Sequence, residues 1–389
     1  MEHSQKFNKR TGIDVETKIQ SHVEIDLLKI QDNAKAIKAY CNRKLIAVVK
    51  ADAYGHGAVQ VADVLHNIAD MFAVATVEEG IELRQAGIRN PILVLFSTLT
   101  DTVDEIISYE LTPTIDNWNL ATRLNEAVLG RNSLLQLVPI EKAYIHLDIN
   151  TGMNRSGIPY LEVRDFIDKL QTLNRLELEG ITTHLATADE EDHSFVNLQL
   201  QRFVSSIEDV EKSDTGIPFF HVANSAATIS IPDSHFDAVR PGLALYGIYP
   251  ASSYFVDLQP ALCWKTHVSW VSMIDSGEGI SYGLTHKVKQ PTRIAAIQVG
   301  YGDGYPRSLS NKGEVLINGI RRPILGRICM DITVVGLETT DHVEIGDEVI
   351  LIGKQGDAEI TVDEIAKKTE TIPYEILTQI GKRVKRIYA

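Results

Sequence analysis

A lysine at the end of an apolar run is the first residue of this 389-residue chain that is placed for covalent chemistry. Lys50 follows the run 45–49 and opens the segment KADAYGHG. Partial burial there would lower the pKa of its amine and make the amine nucleophilic. Tyr54 shares a face with Lys50 if a helix begins here, and Gly55 and Gly57 permit close backbone approach to a ligand. A lysine that simply extends into solvent explains this segment equally well.

Polar residues also lie within or just after later apolar runs. They are Asp148 with Arg155, His184, Asn224 with Ser225, and Arg240 with Gly242. Ser225 stands where a helix would begin, and helix N-termini bind anions, although an ordinary N-cap explains the serine as well. A lone histidine such as His184 is more often a buried structural residue. Together with Lys50, the set describes an amine facing a phosphate site, which suggests a phosphorylated aldehyde as cofactor.

The elements that must position these residues are eight short apolar runs alternating with amphipathic segments. The runs are 45–49, 71–77, 91–96, 111–115, 143–149, 178–185, 219–223 and 238–245, and helices are predicted at 58–67, 77–86 and 161–173. Continuous apolar runs bounded by helices are typical of parallel strands buried on both faces. Eight such units predict an α/β fold, a closed (β/α)8 TIM-like barrel, with an open doubly wound sheet as the alternative. In such barrels the loops after the strands carry the active site, and those after the seventh and eighth often bind phosphate.

After residue 250 the chain consists of short β-rich segments separated by Gly and Asp turns, which predicts a smaller, mostly β domain. We therefore predict a polar N-terminal tail at 1–22, a barrel at 23–255 and a β-rich C-terminal domain at 256–389. Loops of the last domain carry Tyr282, Tyr301, Tyr305, Met330, Asp331 and Tyr374. Because a tyrosine in a turn is commonly a surface residue, position alone assigns these residues no role.

Composition narrows the function classes. Lys and Arg number 38 against 52 Asp and Glu, a formal net charge of −14, which argues against a general nucleic-acid or anionic-membrane binder. Three widely spaced cysteines predict reduced thiols, with neither a disulfide framework nor a metal site. The first twenty residues contain no apolar core of a signal peptide, and no run approaches a membrane span. We expect a cytoplasmic protein.

The motifs that hold these residues resemble those of the alanine racemases. The matching segments are AVVKADAYGHGA, NTGMNRSG, THLATADE, HVANSAA, VRPGLALYG, GEGISYG, GYGDGYPR, GRICMD and TIPYE. They occur in the order of the family, and the similarity runs from Val23 to Tyr388. The resemblance implies a barrel plus a β-domain, pyridoxal 5′-phosphate (PLP) as cofactor, and a homodimer in which each β-domain completes the other subunit's site.

The resemblance also implies a role for each matching residue. Lys50 would bind PLP covalently and would be one catalytic base, with Tyr282 of the partner subunit as the second. The phosphate would be held by Tyr54, Ser225, Gly242 and Tyr374, with a backbone N–H of Leu243 and with Asn224 beside them. Arg240 would bind the pyridine nitrogen and His184 would hold Arg240. Arg155 would bind near the cofactor phenolate and the substrate carboxylate, and Met330, Tyr301 and Asp331 would help form the substrate pocket.

The implied function is interconversion of L-alanine and D-alanine, with D-alanine used for cell-wall peptidoglycan. Two bases on opposite faces of the α-carbon do this directly, one for each enantiomer. A serine or broad-specificity racemase of the same family is the alternative. A barrel decarboxylase of diamino acids shares the architecture but typically has a cysteine where GISYG offers Tyr282. A PLP carrier without catalysis would have no need of the second domain.

One position departs from the family pattern. Asp148 stands where many members have a lysine that becomes carbamylated, and Asn150 stands where an aspartate is frequent. Because an aspartate is already anionic at neutral pH, we expect Asp148 to orient Arg155 directly. The alternatives are a contact through water or a side chain that points elsewhere.

Overall fold

A computed structural model describes residues 21–132, 141–211, 219–250 and 255–389. Within these ranges the chain forms a closed parallel barrel followed by a mostly β domain, which confirms the predicted fold. The tail predicted at 1–22 lies outside the described residues as far as residue 20. Strand β1 (His22–Ile25) then begins the described structure. No helix in the described ranges combines the length and the apolar character needed to cross a membrane.

The barrel contains eight parallel strands. They are β2 (Lys44–Val48), β3 (Met71–Val74), β4 (Ile92–Val94), β5 (Thr112–Ile115), β6 (Ala143–Asn150), β8 (Leu176–Thr182), β9 (Phe219–His221) and β10 (Ala238–Val239), with a short β7 (Ile158–Pro159) paired to the end of β6. Neighbours pair in this order, and β10 pairs with β2. Because β5 also pairs with β6, the sheet has no free edge, which excludes the open doubly wound alternative.

Helices follow the strands. They are α1 (Leu27–Cys41), α2 (Lys50–Gly55), α3 (Ala58–Leu65), α4 (Val77–Gln85), α5 (Val103–Ser108), α6 (Trp118–Asn132), α7 (Val163–Leu170), α8 (Ser194–Glu211) and α9 (Ser225–Ser230). Helix α4 illustrates why they begin where they do: the Thr76 hydroxyl accepts from the Glu79 N–H, and two glutamates occupy the first turn. The three predicted helices are present as α3, α4 and α7, and each ends slightly earlier than predicted.

The second domain is built on an antiparallel sheet with α10 (Val362–Thr369) and α11 (Pro373–Thr378). Its strands are β11 (Leu262–Ile274), β12 (Gly279–Ile280), β13 (His286–Lys287), β14 (Thr292–Ile297), β15 (Glu314–Ile317), β16 (Ile320–Pro323), β17 (Thr333–Leu337), β18 (Glu348–Gln355), β19 (Ala358–Ile360) and β20 (Lys385–Tyr388). Burial alternates along the first half of β11, as expected for a sheet with one covered face.

The first strand belongs to this second sheet. β1 pairs antiparallel with β11 and parallel with β20, so the chain passes through the C-terminal domain before it enters the barrel. One cluster of buried apolar side chains extends from Val23 in β1 through the barrel to Val384 beside β20. The domain boundary that we predict near residue 255 stays a proposal. Strand β1, which the prediction included in the barrel, belongs to the sheet of the second domain.

The junction between the domains is held by polar contacts as well. The buried Asn33 amide donates to the carbonyls of Leu245 and Gln259, at 3.0 and 2.9 Å, and its oxygen accepts from the Gln259 N–H at 2.8 Å. Gly247 turns the chain here with φ +82, and a Cβ at this position would overlap the Gln259 carbonyl. The junction therefore requires glycine for both conformation and space.

Replacement of Gly247 by alanine should destabilise the protein by more than about 3 kcal/mol, because backbone at the junction must move. Gly277→Ala is the matched control: Gly277 also has a positive φ, +91, but its Cβ would meet nothing within 4 Å. The control should lose only about 1–2 kcal/mol from the left-handed conformation. Urea midpoints and Tm values of the purified variants measure both. Equal losses would show that the close contact with Gln259 does not matter.

Candidate active site

A cavity of about 380 Å³ opens at the carboxyl ends of the barrel strands. The predicted site residues that line it are Lys50, Tyr54, Asp148, Arg155, His184, Asn224, Ser225, Arg240, Gly242 and Tyr374. The residues from Lys50 to Gly242 meet because every barrel strand points its carboxyl end to the same side, and Tyr374 reaches the cavity from α11 of the second domain. Their individual roles stay predictions.

The loop after β2 has an unusual backbone. Residues 51–54 all adopt left-handed values, with φ between 52 and 55°. For non-glycine residues this costs about 1–2 kcal/mol each. Lys50 and Tyr54 both line the cavity, but the turn that joins them is left-handed and not the start of an ordinary right-handed helix. Strain of this kind persists only where surrounding contacts over-determine it.

Three side chains from outside residues 51–54 hold this left-handed turn, and the first two, Glu79 and His56, belong to the barrel domain. The Glu79 carboxylate accepts from the Ala51 and Ala75 N–H groups, each at 2.7 Å, and so joins the loops after β2 and β3. The buried His56 ring contacts the carbonyls of Ala53 and Tyr54 through Nδ1, at 3.1 and 3.0 Å. Because a carbonyl only accepts, Nδ1 carries the proton.

The C-terminal strand holds the same loop from the other domain. Arg386 in β20 donates from Nε to the Gly55 carbonyl at 3.2 Å. A Cβ on Gly57 would overlap the Tyr388 hydroxyl, so this glycine is needed for close approach. The Tyr374 ring, from α11, lies 5.8 Å from the Tyr54 ring. The two domains of one chain therefore build the Lys50 loop together.

Lys50 is partly buried and lies near the positive charges of Arg155 and Arg240. Burial lowers the pKa of its amine, and the charges of Arg155 and Arg240 lower it further, against an opposing effect of Glu79. The Lys50 amine and the Arg155 guanidinium each lie 5.1 Å from the centroid of the Phe96 ring. An amine in this environment releases its proton more readily than a solvated lysine, as a nucleophile or base requires.

One wall of the cavity carries hydroxyls and backbone N–H groups. The buried Ser225 hydroxyl accepts from the N–H of Gly242 at 2.7 Å and from that of Ala244 at 3.3 Å. Asn224 caps α9 by accepting from the Ala227 N–H at 3.1 Å. A Cβ on Gly242 would overlap the Tyr54 ring, so the position requires glycine. Because the Ser225 hydroxyl accepts these bonds, its own proton can be donated to an anion in the cavity, as can those of the Tyr54 and Tyr374 hydroxyls.

Arg240 lies fully buried at the base of the cavity. It donates to Nδ1 of His221 at 2.9 Å and to the Thr183 carbonyl at 2.9 Å, and contacts Nδ1 of His184 at 3.3 Å. Burial lowers the pKa of Arg240 to about 10, an effect that Asp148 opposes, so the guanidinium stays charged at neutral pH. Burial, with Arg240 next, lowers the pKa of His184 to about 3, which keeps that imidazole neutral.

Asp148 contacts a serine that sequence reasoning missed. Its carboxylate accepts from the Ser156 hydroxyl at 2.7 Å. Within the described residues it forms no ion pair with Arg155, contrary to the direct contact that we expected. Burial raises the pKa of Asp148, while the Ser156 hydroxyl and the charges of Arg240 and Arg155 lower it. Its influence on Arg155 is therefore through space.

The remaining predicted residues lie outside the cavity of this chain. Leu243 is fully buried behind Gly242. Tyr282, Tyr301 and Met330 are exposed on the second domain, with 71, 43 and 52% of their surface accessible. The Tyr301 and Met330 loops are joined, since the Tyr301 N–H donates to the Cys329 carbonyl at 3.0 Å.

Asp331 has a partner in the same region. Its carboxylate accepts from Arg383 at 2.9 Å, and Arg383 also donates to Asp303 at 2.7 Å. The Tyr282 loop is attached to this face as well, because the Ser281 hydroxyl donates to the Arg327 carbonyl at 2.5 Å. Tyr282, Tyr301, Met330 and Asp331 thus share one exposed face rather than the cavity.

Several lining or supporting residues had no distinct sequence signal. Ser156, Thr183 and Phe96 line the cavity, and His221 and Glu79 support it from behind. Phe96 and His221 lie inside predicted apolar runs, so the sequence indicated buried strand residues at both positions. Reading the last residue of every run would have found Phe96, at the end of 91–96, whereas Thr183 lies inside the run 178–185.

Comparison with known proteins gives a consistent result over the whole chain. The family model for the alanine racemase N-terminal domain matches residues 25–250, and the family model for the alanine racemase C-terminal domain matches residues 261–388. The alanine racemase of Carboxydothermus hydrogenoformans is 42% identical over 370 residues, 94% of this chain and 98% of that protein. That of Halothermothrix orenii is 40% identical, over 94% of this chain and 96% of that protein.

Solved structures agree with the sequence comparison. The alanine racemase of Clostridium difficile 630 superposes with a TM-score of 0.87 at 36% identity, covering 96% of this chain and 97% of that one. The alanine racemase of Bacillus anthracis with bound L-Ala-P gives 0.84 at 36% identity, covering 95% of each chain. That of Bartonella henselae with covalently bound pyridoxal phosphate gives 0.85 at 30% identity, covering 95% of this chain and 99% of that one.

The buried His56 predicts a loss of stability in acid. Burial lowers its pKa from 6.5 to about 4, so the unfolded chain binds a proton first as the pH falls. Its contribution is complete above pH 6.5 and is lost progressively between pH 6.5 and about 4, by at most about 3 kcal/mol. In His56→Gln, which can still donate to the carbonyls but does not titrate, Tm should fall less between pH 7.5 and 5.

The exposed His66 provides the control for this measurement. His66→Gln should show the same change of Tm with pH as the unaltered protein. If His56→Gln kept the full acid sensitivity, the neutral, buried imidazole would not be responsible for it.

Proposed function

The chain belongs to the alanine racemase family, and on that basis we propose that it interconverts L-alanine and D-alanine with PLP as cofactor. The observation that carries the proposal is the single cavity in which Lys50, the donor wall at Ser225 and the buried Arg240 face one another. We propose that it acts in the cytoplasm and that its D-alanine is used for cell-wall peptidoglycan.

The residues present fit PLP. The wall of Ser225, Gly242, Tyr54 and Tyr374 offers hydroxyls and backbone N–H groups to a phosphate, and Asn224 and Leu243 hold its shape from behind. Gly242 leaves open the space that a Cβ would fill. Lys50 would bind the cofactor aldehyde. When bound, PLP supplies an electron sink for the pair left at the α-carbon when its proton is removed.

Arg240 would face the pyridine nitrogen as a permanent donor. Because its pKa stays near 10, it keeps its proton at neutral pH and leaves that nitrogen an acceptor. His184 and His221 hold the guanidinium in place, at 3.3 and 2.9 Å. Arg155, on the Phe96 side of the cavity, would bind the substrate carboxylate.

Lys50 would serve as the base on one face of the α-carbon. The lowered pKa of its amine allows it to take the proton of one enantiomer from this face and, in the opposite direction of the reaction, to return a proton to the same face. The opposite face requires a second base. We assign it to Tyr282 of the partner subunit.

The exposed face of the second domain supports a shared site. Tyr282 and Met330 are more than half exposed on a chain whose own cavity they do not line. Exposed aromatic and apolar side chains of this kind are typical of an interface. A symmetric homodimer would bring Tyr282, Tyr301, Met330 and Asp331 of each chain to the cavity of the other.

Asp148 would balance charge in the cavity without carbamylation. It is a partly buried carboxylate among Lys50, Arg155 and Arg240, and the Ser156 hydroxyl stabilises its anionic form. An aspartate already provides the negative charge that a modified lysine would supply. Its distance from Arg155 favours an effect through space over direct orientation.

Replacing Lys50 by alanine should reduce alanine racemisation by at least about a thousandfold, since the amine is both the anchor for the cofactor and a base. Borohydride reduction with PLP should attach the cofactor to the peptide that contains Lys50. Lys44→Ala, an exposed lysine at the start of the same strand, is the control and should change neither result. Attachment to another lysine, faster turnover of serine, or release of CO2 would each overturn the proposed activity.

Tyr282→Phe should abolish racemisation in both directions, because the second face loses its base. A mixture of Lys50→Ala and Tyr282→Phe subunits should then recover up to about a quarter of normal activity, since half of the random dimers have one intact site of two. Mixing Lys50→Ala with a chain carrying both substitutions restores no site and is the control. Absence of recovery after confirmed subunit exchange would contradict a shared site.

A further inference from the structure

A line of polar contacts runs from the base of the cavity through the barrel interior. Arg240 Nη1 lies 2.9 Å from His221 Nδ1, and His221 Nε2 lies 2.8 Å from His146 Nδ1. His146 Nε2 lies 3.4 Å from a carboxylate oxygen of Glu179. Both histidine rings are fully buried. Glu179 is partly exposed at the opposite, amino-terminal end of the barrel, beside Lys142 and Arg84.

Only one arrangement of protons satisfies these contacts. Arg240 can only donate, so His221 Nδ1 accepts and its proton is on Nε2. That proton is donated to His146 Nδ1, which places the proton of His146 on Nε2, facing Glu179. The Glu179 carboxylate, at the other end of this line of contacts, can only accept a hydrogen bond. It therefore also requires the proton of His146 to be on Nε2. Burial lowers the pKa of both histidines, which keeps both rings neutral as this order requires.

An irregularity in β8 brings Glu179 to this position. Ile145 pairs with Leu178, but the next residue, His146, pairs with Gly180, so Glu179 is an extra residue in the strand. A bulge of this kind redirects a side chain that regular alternation would point away from the barrel interior. Gly180 leaves room for the ring beside it, since its Cβ would lie 2.8 Å from His146.

Among the described residues His146 Nε2 is buried without a well-formed hydrogen bond, and the Glu179 carboxylate oxygen 3.4 Å away is the acceptor that it faces. A buried N–H without an acceptor is unfavourable, so a ring that lost Glu179 would turn or move its proton. Either change would disrupt the bond to His221 and, with it, one of the acceptors of Arg240, whose guanidinium would keep its bonds to backbone carbonyls such as that of Thr183.

We propose that Glu179 is a positioning residue for the active site, acting on Arg240 through the proton order of His146 and His221. The effect on turnover rests on the proposed function, whereas the proton order does not.

The proton order can be measured directly. Protein labelled with 15N-histidine, with and without PLP, should show both rings neutral with the proton on Nε2; His146→Gln and His221→Gln assign the signals. In Glu179→Ala the His146 signals should change and those of His221 should follow. Racemisation should show a kcat about two- to tenfold lower with little change in KM, as expected for loss of one hydrogen-bond partner.

Two further variants separate positioning from general damage. Glu179→Gln keeps an acceptor oxygen and should restore both the proton order and kcat. Glu177→Ala, on the same strand, removes a carboxylate that pairs with Lys142 at the surface, at 2.6 Å, and should leave both unchanged. If Glu179→Ala does not fold, Glu179→Asp shortens the reach to His146 while keeping the charge and should show the same signal changes.

A His146 proton on Nδ1 in the unaltered protein, or unchanged histidine signals in Glu179→Ala, would overturn the proposal. So would Glu177→Ala changing the signals as much as Glu179→Ala. If the chain did not racemise alanine but kept this proton order, only the proposed function would fail.

Discussion

The complete burial of one guanidinium is the constraint on which the rest of the site depends. A buried charge is tolerated only when it is fully hydrogen-bonded, and Arg240 meets acceptors on the strands and loops around β8 and β9. His221 and Thr183 must therefore lie where they do, and the ends of those strands are fixed in relation to β10. The wall at Ser225, which begins the next helix, is positioned by the same contacts.

The barrel was predictable because its signal is local and repeated. Each strand is a short apolar run; Lys50 directly follows the run 45–49, and Arg240, inside the predicted run 238–245, directly follows the observed strand β10, and both reach the cavity. The left-handed turn at 51–54 was not predictable in this way. Its residues have no sequence preference for that conformation, and it exists because Glu79, His56 and Arg386 hold it from elsewhere in the chain.

The position of the first strand and the contact between Asp148 and Ser156 were missed for the same reason. A strand of four residues carries no information about which sheet it joins, and β1 pairs with β11, more than two hundred residues away. An aspartate and an arginine seven residues apart suggest an ion pair, whereas the loop gives the nearer contact to the Ser156 hydroxyl. Sequence spacing identified the residues of the site but not which of them touch.

The charge of the cavity is opposite to that of the protein. The chain carries a formal net charge of −14, yet Lys50, Arg155 and Arg240 face one cavity in which Asp148 is the acidic lining residue. Together with burial, this excess lowers the pKa of Lys50 and keeps His184 neutral. A phosphate on the cofactor and a carboxylate on the substrate would offset the excess, so the positive charge that activates the lysine would also favour a phosphorylated cofactor and a substrate with a carboxylate group. Activation and recognition would then have one electrostatic cause.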